Sequence, residues 1–142
     1  MIQIDTNVIS EPLRATPDST VVAWIDAQNV ETLFLAAISL AELRFGIAAL
    51  PAGRHKASLH RQVEERVVPL FRGRILSFDA TASQAYALLR ARARTAGQSI
   101  WVADGYIAAT AAANGLTIAT RDTAPFVAAG LTVINPWVKD AH

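Results

Sequence analysis

Short apolar runs of strand length alternate with helical segments along the whole chain, and this alternation constrains the fold more than any other feature. The clearest run is TLFLAAI at Thr32–Ile38, which is apolar at every position after the first. Such a run is typical of a strand that is covered on both faces. Strands that alternate with helices form a parallel sheet between two helical layers. We therefore predict an α/β sandwich.

The predicted elements come from these runs and from helix start and stop signals. The strands are Met1–Ile4, Thr32–Ile38, Arg74–Phe78, Thr117–Thr120 and Thr132–Ile134. The helices are one capped by Asp18, Ser39–Ala49, Arg54–Val68 (stopped by Pro69), one from Asp79 to Gly97, Val102–Ala113 and a turn at Thr123–Val127. No repeat or linker divides the 142 residues, so a single domain over residues 1–142 is expected.

Composition and targeting signals exclude several classes of protein. The chain has no cysteine, which rules out disulfides, thiolate zinc sites and cysteine nucleophiles. Met1–Asp5 lacks the pattern of a signal peptide, and the longest uncharged runs, such as Gly105–Thr120, fall short of the roughly 20 residues that span a bilayer. We predict a soluble, cytoplasmic protein without a membrane segment.

Four acidic residues map to the carboxyl edge of the predicted sheet, where sites form in open α/β folds. Asp5 follows the first strand, and Glu42 lies in the first turn of the helix after the second strand. Asp104 opens the helix that leads into the TIAT strand, and Asp122 follows that strand after one residue. Apolar or small residues, not lysines, surround them in the sequence: Ile4, Ala41, Ala103 and Ala119. We expect the four carboxylates to converge.

Each of these acids also has a purely local explanation. Ser39 and Glu42 have the spacing of a capping box. Asp104 can complement a helix dipole, Asp122 can cap the turn at Thr123, and Asp5 can form an Asx turn with Asn7. Taken singly, each local explanation is at least as good as a functional one. Taken together they are weaker, because four of them must coincide at one end of one sheet.

Converging carboxylates require a counter-ion, because like charges at short range raise one another's pKa. Mg²⁺ or Mn²⁺ is the usual partner of an all-oxygen site. A divalent ion held in this way suits phosphodiester hydrolysis by water, and no covalent nucleophile with an adjacent base is evident. The hydroxyls of Thr6, Ser39 and Thr120 adjoin the acids and are candidates for orienting them. The three histidines, His55, His60 and His142, are expected at the solvated surface.

Charge is distributed unevenly. Between Arg44 and Arg94 there are ten basic and three acidic residues, a local balance of +7, whereas the rest of the chain has three basic and nine acidic residues, a balance of −6. A basic segment beside an acidic site suits a polyanionic substrate. Arg90 and Arg94 share a helix face with Tyr86, which can contact either RNA or a protein. Trp24 and Trp137 are expected in the core or an interface, and Trp101 is a candidate for the rim of the site.

Four segments resemble the PIN-domain family, and more narrowly the VapC/FitB-type toxins. They are IDTNVISEPLR at Ile4–Arg14, AISLAELRFGI at Ala37–Ile47, ADGYIAATA at Ala103–Ala111 and IATRDTAPF at Ile118–Phe126, with INPW at Ile134–Trp137 in addition. The resemblance extends over essentially the whole chain. It implies a PIN-like fold, with a parallel β-sheet between α-helices, and a Mg²⁺- or Mn²⁺-dependent endoribonuclease.

The same resemblance assigns the catalytic and metal-binding positions to Asp5, Glu42, Asp104 and Asp122, with Asn7 and Thr120 in support. It also implies a homodimer, an RNA substrate and a small DNA-binding antitoxin that alone mediates contact with operator DNA. Two alternatives stay open. In one, the acids mainly dock an antitoxin arginine and the module has no activity. In the other, which is weaker, Asp5 is a phosphoacceptor, although the first strand lacks a D-x-D pattern.

Overall fold

In the computed structural model, which describes residues 1–139, five strands form a single sheet. They are β1 (Ile2–Ile4), β2 (Leu33–Ala36), β3 (Ile75–Leu76), β4 (Thr117–Ala119) and β5 (Val133–Ile134). All paired neighbours are parallel, and the order is β3-β2-β1-β4-β5. The predicted parallel α/β architecture is confirmed. The strands are shorter than predicted, most clearly the second, with four residues instead of seven, and the third, with two instead of five.

The helices connect and cover these strands. They are α1 (Thr6–Ser10), α2 (Ser19–Ala27), α3 (Ala37–Ala48), α4 (Arg54–Gln62), α5 (Val68–Leu70), α6 (Ala80–Thr95), α7 (Val102–Ala113) and α8 (Thr123–Ala128). Asp18 and Asp79 cap α2 and α6 as predicted, each accepting hydrogen bonds from backbone N–H groups of the first turn. Helix α1 was not predicted. Within residues 1–139, no helix is long and apolar enough to cross a membrane.

The core lies on both faces of the sheet, as a central parallel sheet requires. Consecutive residues of one strand face opposite layers: Leu35 belongs to the cluster around α1 to α4, and Ala36 to the cluster around α6 to α8. Trp24 is buried in the first cluster, as predicted, whereas His55 and His60 are at the surface. His142 lies outside the described residues.

The second strand and the helix after it meet two residues earlier than predicted. Strand β2 ends at Ala36 and α3 begins at Ala37, so the helix does not start at Ser39. The apolar run at Thr32–Ile38 changes from strand to helix between Ala36 and Ala37, because alanine has the highest helix propensity. Ser39 therefore lies inside the helix. The predicted capping box with Glu42 is wrong, and no side chain caps α3.

The predicted stop at Pro69 is also wrong. Helix α4 ends at Gln62, a π-helical turn follows over Val63–Val67, and Pro69 lies in the first turn of α5. Proline is tolerated there because the first turn of a helix does not need its N–H groups for internal hydrogen bonds. Pro69 therefore follows a change of helix geometry and does not end the helical segment that begins at Arg54.

Candidate active site

Asp5 lies at the junction between β1 and α1. Its N–H donates to Ala119 O of β4 at 2.9 Å, so the residue stays attached to the sheet. Its side chain is buried, with Oδ1 accepting from the Thr6 N–H at 2.7 Å and Oδ2 accepting from Thr120 Oγ1 at 2.8 Å. The carboxylate is thus the N-cap of α1, and the predicted Asx turn with Asn7 is not formed.

Burial raises the pKa of Asp5 above its ordinary value and is the largest single cause, ahead of each of the two hydrogen bonds, which lower the pKa. The negative charges of Glu42 and Asp122 raise it further. A carboxylate that is buried in this way is destabilised in its charged form unless a cation is nearby.

Thr120, directly after β4, connects three parts of the site. Its hydroxyl is fully buried, donates to Asp5, and accepts from the Asp122 N–H at 3.2 Å and from Asn7 Nδ2 at 3.4 Å. Asn7 also accepts the Arg121 N–H at 3.4 Å through Oδ1. Asp122 precedes α8, but its side chain makes no capping hydrogen bond, so its exposed carboxylate is available for another role.

Glu42 lies in the second turn of α3 rather than the first, and its side chain points to α1 instead of to its own helix end. Thr6 Oγ1 donates to Glu42 Oε1 at 2.7 Å. The hydroxyl beside Asp5 therefore holds a second acid 36 residues further along the chain. Ser39 does not serve in this way, because its Oγ is buried without a hydrogen-bond partner in the described chain.

Asp104 lies in the first turn of α7 and is half-buried. Its carboxylate accepts no hydrogen bond from residues 1–139. Burial raises its pKa to about 6, with further contributions from the charges of Asp5, Glu42 and Asp122. Asp104 is therefore within electrostatic reach of the other three acids.

The four predicted acids thus share one region at the carboxyl edge of the sheet. In the part of the chain that the structure describes, no three Asp, Glu, His or Cys side chains form a group close enough to hold an ion. Negative charge is concentrated here, and no salt bridge from residues 1–139 neutralises it. The chemistry that this arrangement favours is binding of a cation by oxygen ligands.

A fifth acid, Glu11, is buried but serves the fold. It accepts the Asp18 N–H at 2.9 Å and pairs with Arg14 at 3.2 Å, which holds the loop before α2 against the 3₁₀ turn at Glu11–Leu13. Sequence reasoning missed it. The only local signal was the arginine three residues later, which is also a common surface spacing.

Comparison with known families decides the classification. The family model described as "PIN domain" matches residues 2–130. The chain belongs to the PIN-domain family. The resemblance inferred from the four sequence segments is confirmed, and it holds over nearly the whole chain.

Relatives within the PIN family carry VapC and FitB names. The chain is 58% identical over 137 residues to "VapC ribonuclease Y4jK" of Sinorhizobium fredii, covering 96% of this chain and 98% of that protein. It is 53% identical over 137 residues to "Toxin FitB" of Neisseria gonorrhoeae, covering 96% and 99%. A solved structure of FitAB bound to the IR36 DNA fragment superposes with a TM-score of 0.96 at 51% identity, covering 100% of this chain and 99% of that one.

Proposed function

We propose that this PIN-domain chain is a Mg²⁺- or Mn²⁺-dependent endoribonuclease and the toxin of a toxin–antitoxin pair. The observation that carries the proposal is the network that joins Thr6 to Glu42 and Thr120 to Asp5. It brings acids from distant parts of the chain to one edge of the sheet. The ribonuclease and toxin names of its relatives support the same function.

The residues at this edge fit a divalent cation by the chemistry of their donors. All are oxygen ligands, which Mg²⁺ and Mn²⁺ prefer, and neither histidine of the described chain contributes. Burial and the neighbouring negative charges raise the pKa of Asp5 and Asp104, and a bound cation would offset both effects. The side chains of Glu42 and Asp122 are exposed, so an ion can reach them from solvent.

In this proposal, Asp5, Glu42 and Asp104 hold the principal ion, directly or through water, and Asp122 completes a second or substrate-induced site. When bound, such an ion lowers the pKa of water and stabilises charge on a departing phosphate oxygen. The chain's own contribution is orientation. Thr120 and the Thr6 N–H fix both oxygens of Asp5, Thr6 Oγ1 fixes Glu42, and Asn7 holds Thr120 in place.

The similarity to the FitAB structure also supports a proposal about the partners of this chain. We propose a homodimer that is neutralised by a small DNA-binding antitoxin, in the cytoplasm, with operator DNA contacted only through the antitoxin. Support comes from the structure of FitAB on a DNA fragment, which is similar over the entire chain. Co-purification of a co-expressed antitoxin and the mass of the complex by light scattering test this part of the proposal.

The decisive experiment compares Asp5→Asn with Asp26→Asn, a control at an exposed acid on α2. Cleavage of single-stranded RNA in Mg²⁺ or Mn²⁺ should be abolished by Asp5→Asn and unaffected by Asp26→Asn. Stability without metal should be retained or increased, because a buried charge has been removed. Wild-type cleavage by Asp5→Asn would refute the assignment.

Metal titration separates this function from the alternative of a non-catalytic module that binds an antitoxin. If the proposal is correct, Mn²⁺ stabilises the folded protein, by about 2.7 kcal/mol at 100 times its Kd. If Mn²⁺ neither raises the Tm nor supports cleavage of any RNA pool, the binding module becomes the better account.

A further inference from the structure

A cationic and aromatic cavity lies between α6 and the start of α7. It has a volume of about 820 Å³, and its lining includes Tyr86, Arg90, Arg94, Gln98 and Ser99. The next residues of the chain, Ile100 and Trp101, lead directly into α7, the helix of Asp104. Trp101 is 83% exposed, an unusual state for the largest aromatic side chain.

The aromatic wall of this cavity is preorganised. Tyr86 stacks on Tyr106 with the ring centroids 4.9 Å apart, and Phe78 packs edge-on against both. Arg90 lies over the Tyr86 ring at 5.4 Å and donates to its hydroxyl at 2.8 Å. The guanidinium is thus held at the cavity rather than free in solvent.

The cavity is also next to the acidic site. A Cβ built on Gly105 would lie 2.9 Å from Tyr86 Cε2 and 3.6 Å from Arg90 Cδ, so these two side chains pack against the residue that follows Asp104. A nucleotide chain with its scissile phosphate at the acids therefore has this cavity beside it.

Charge decides what kind of ligand suits the surface. Residues 80–101 contain three arginines and no acid, and none of the three forms a salt bridge within residues 1–139. If a second copy of the chain packed on this face around a two-fold axis, the arginines of the two copies would face each other. A polyanion with flat bases uses both the cations and the exposed indole, and that combination is typical of single-stranded nucleic acid sites.

We infer that the cavity at Tyr86, Arg90 and Arg94, together with the exposed Trp101 that follows its lining residue Ile100 in the chain, binds the single-stranded RNA segment that flanks the cleaved bond. The inference rests on the proposed ribonuclease function and adds positioning residues to it. Arg94 contacts a backbone phosphate, and Trp101 stacks on a base. Both bind the RNA equally before and during cleavage, so they determine affinity rather than the rate of the chemical step.

The test measures RNA affinity and cleavage separately. Affinity for a short fluorescein-labelled single-stranded RNA is measured in the Asp5→Asn background. Trp101→Ala should weaken binding by roughly 5- to 150-fold, the range that one stacked base contributes, and Trp101→Phe should restore most of it. Arg94→Gln should lower the salt-dependence slope by about 0.7. Arg66→Gln, an exposed arginine outside the cavity, is the matched control and should change neither quantity.

With an otherwise wild-type chain, Trp101→Ala and Arg94→Gln should raise KM and leave kcat unchanged. If the wild type cleaves RNA but both variants retain its affinity and KM, the inference is overturned and the proposed function stands. If the wild type does not cleave while binding still depends on Trp101 and Arg94, the proposed function fails and the cavity stands only as a binding site for single-stranded RNA. Unchanged RNA affinity with weakened self-association or antitoxin binding would assign the surface to a protein and overturn the inference.

Discussion

Replacing Asp104 by asparagine is expected to stabilise the metal-free protein at neutral pH. The pKa of Asp104 is about 6 in the folded state, whereas an unfolded aspartate titrates near 4. The folded state therefore binds a proton more tightly than the unfolded state. The stability that this proton contributes is complete below the unfolded pKa and is lost as the pH rises through about 6.

The magnitude follows from the shift and from the position of the side chain. A difference of about two pKa units corresponds to about 3 kcal/mol. Because Asp104 is only half-buried and solvent screens its charge, we expect about 1 to 2 kcal/mol. Its carboxylate accepts no hydrogen bond from the described residues, so the amide loses no partner there. At pH 5, midway between the folded and unfolded pKa values, about half of the advantage of the variant should remain, and it should disappear only below the unfolded pKa.

The assay is urea unfolding in EDTA at pH 5 and pH 7.5, followed by the fluorescence of the buried Trp24 and the other tryptophans. The wild type should lose stability between these two pH values, and Asp104→Asn should lose less. Asp26→Asn serves as the control for an exposed acid. The reasoning would be refuted if Asp104→Asn were less stable than the wild type at pH 7.5, or if its pH dependence matched that of the wild type.

Two further substitutions test the packing around the site. Gly105→Ala should lower the free energy of unfolding by about 1 to 2 kcal/mol, since the added Cβ would overlap Tyr86. Gly46 lies inside α3, and a Cβ added there has no neighbouring atom within 4 Å, so Gly46→Ala should raise the free energy of unfolding by up to about 1 kcal/mol. If chemical denaturation showed that both glycine variants change the free energy of unfolding equally, close packing of Gly105 against Tyr86 would be contradicted. Thr120→Val should destabilise by about 1 to 3 kcal/mol and raise the pKa of Asp5 further, because buried groups lose their hydrogen-bond partner. Thr120→Ser should retain most of the wild-type stability, and a Thr120→Val protein as stable as Thr120→Ser would argue against the network.

Much of the fold was predictable because its signals are local. The apolar run at Thr32–Ile38 predicts a strand that is covered on both faces, and Asp18 and Asp79 cap the helices that they were expected to cap. The errors also have local causes. Alanine continues an apolar run equally well as strand or helix, so the boundary at Ala36 was misplaced, and Pro69 is compatible with the first turn of a new helix.

The site was predictable only in part. Asp5 and Asp122 follow parallel strands, and such strands end at the same edge in any strand order, so their proximity was expected. The local explanation of Glu42 as part of a capping box had to be rejected from coordinates, which show its carboxylate bonded to Thr6 rather than to its own helix.

The sequence by itself therefore indicated most of the elements, the parallel sheet and four candidate acids, because periodicity, capping and strand ends act over a few residues. Only the tertiary structure decided that β4 lies beside β1, which puts the Thr120 hydroxyl 2.8 Å from an Asp5 oxygen across 115 positions of the chain. It alone also placed Tyr86 and Arg90 against the helix of Asp104. Such contacts depend on which strands and helices pack together, and no local pattern in the sequence specifies them.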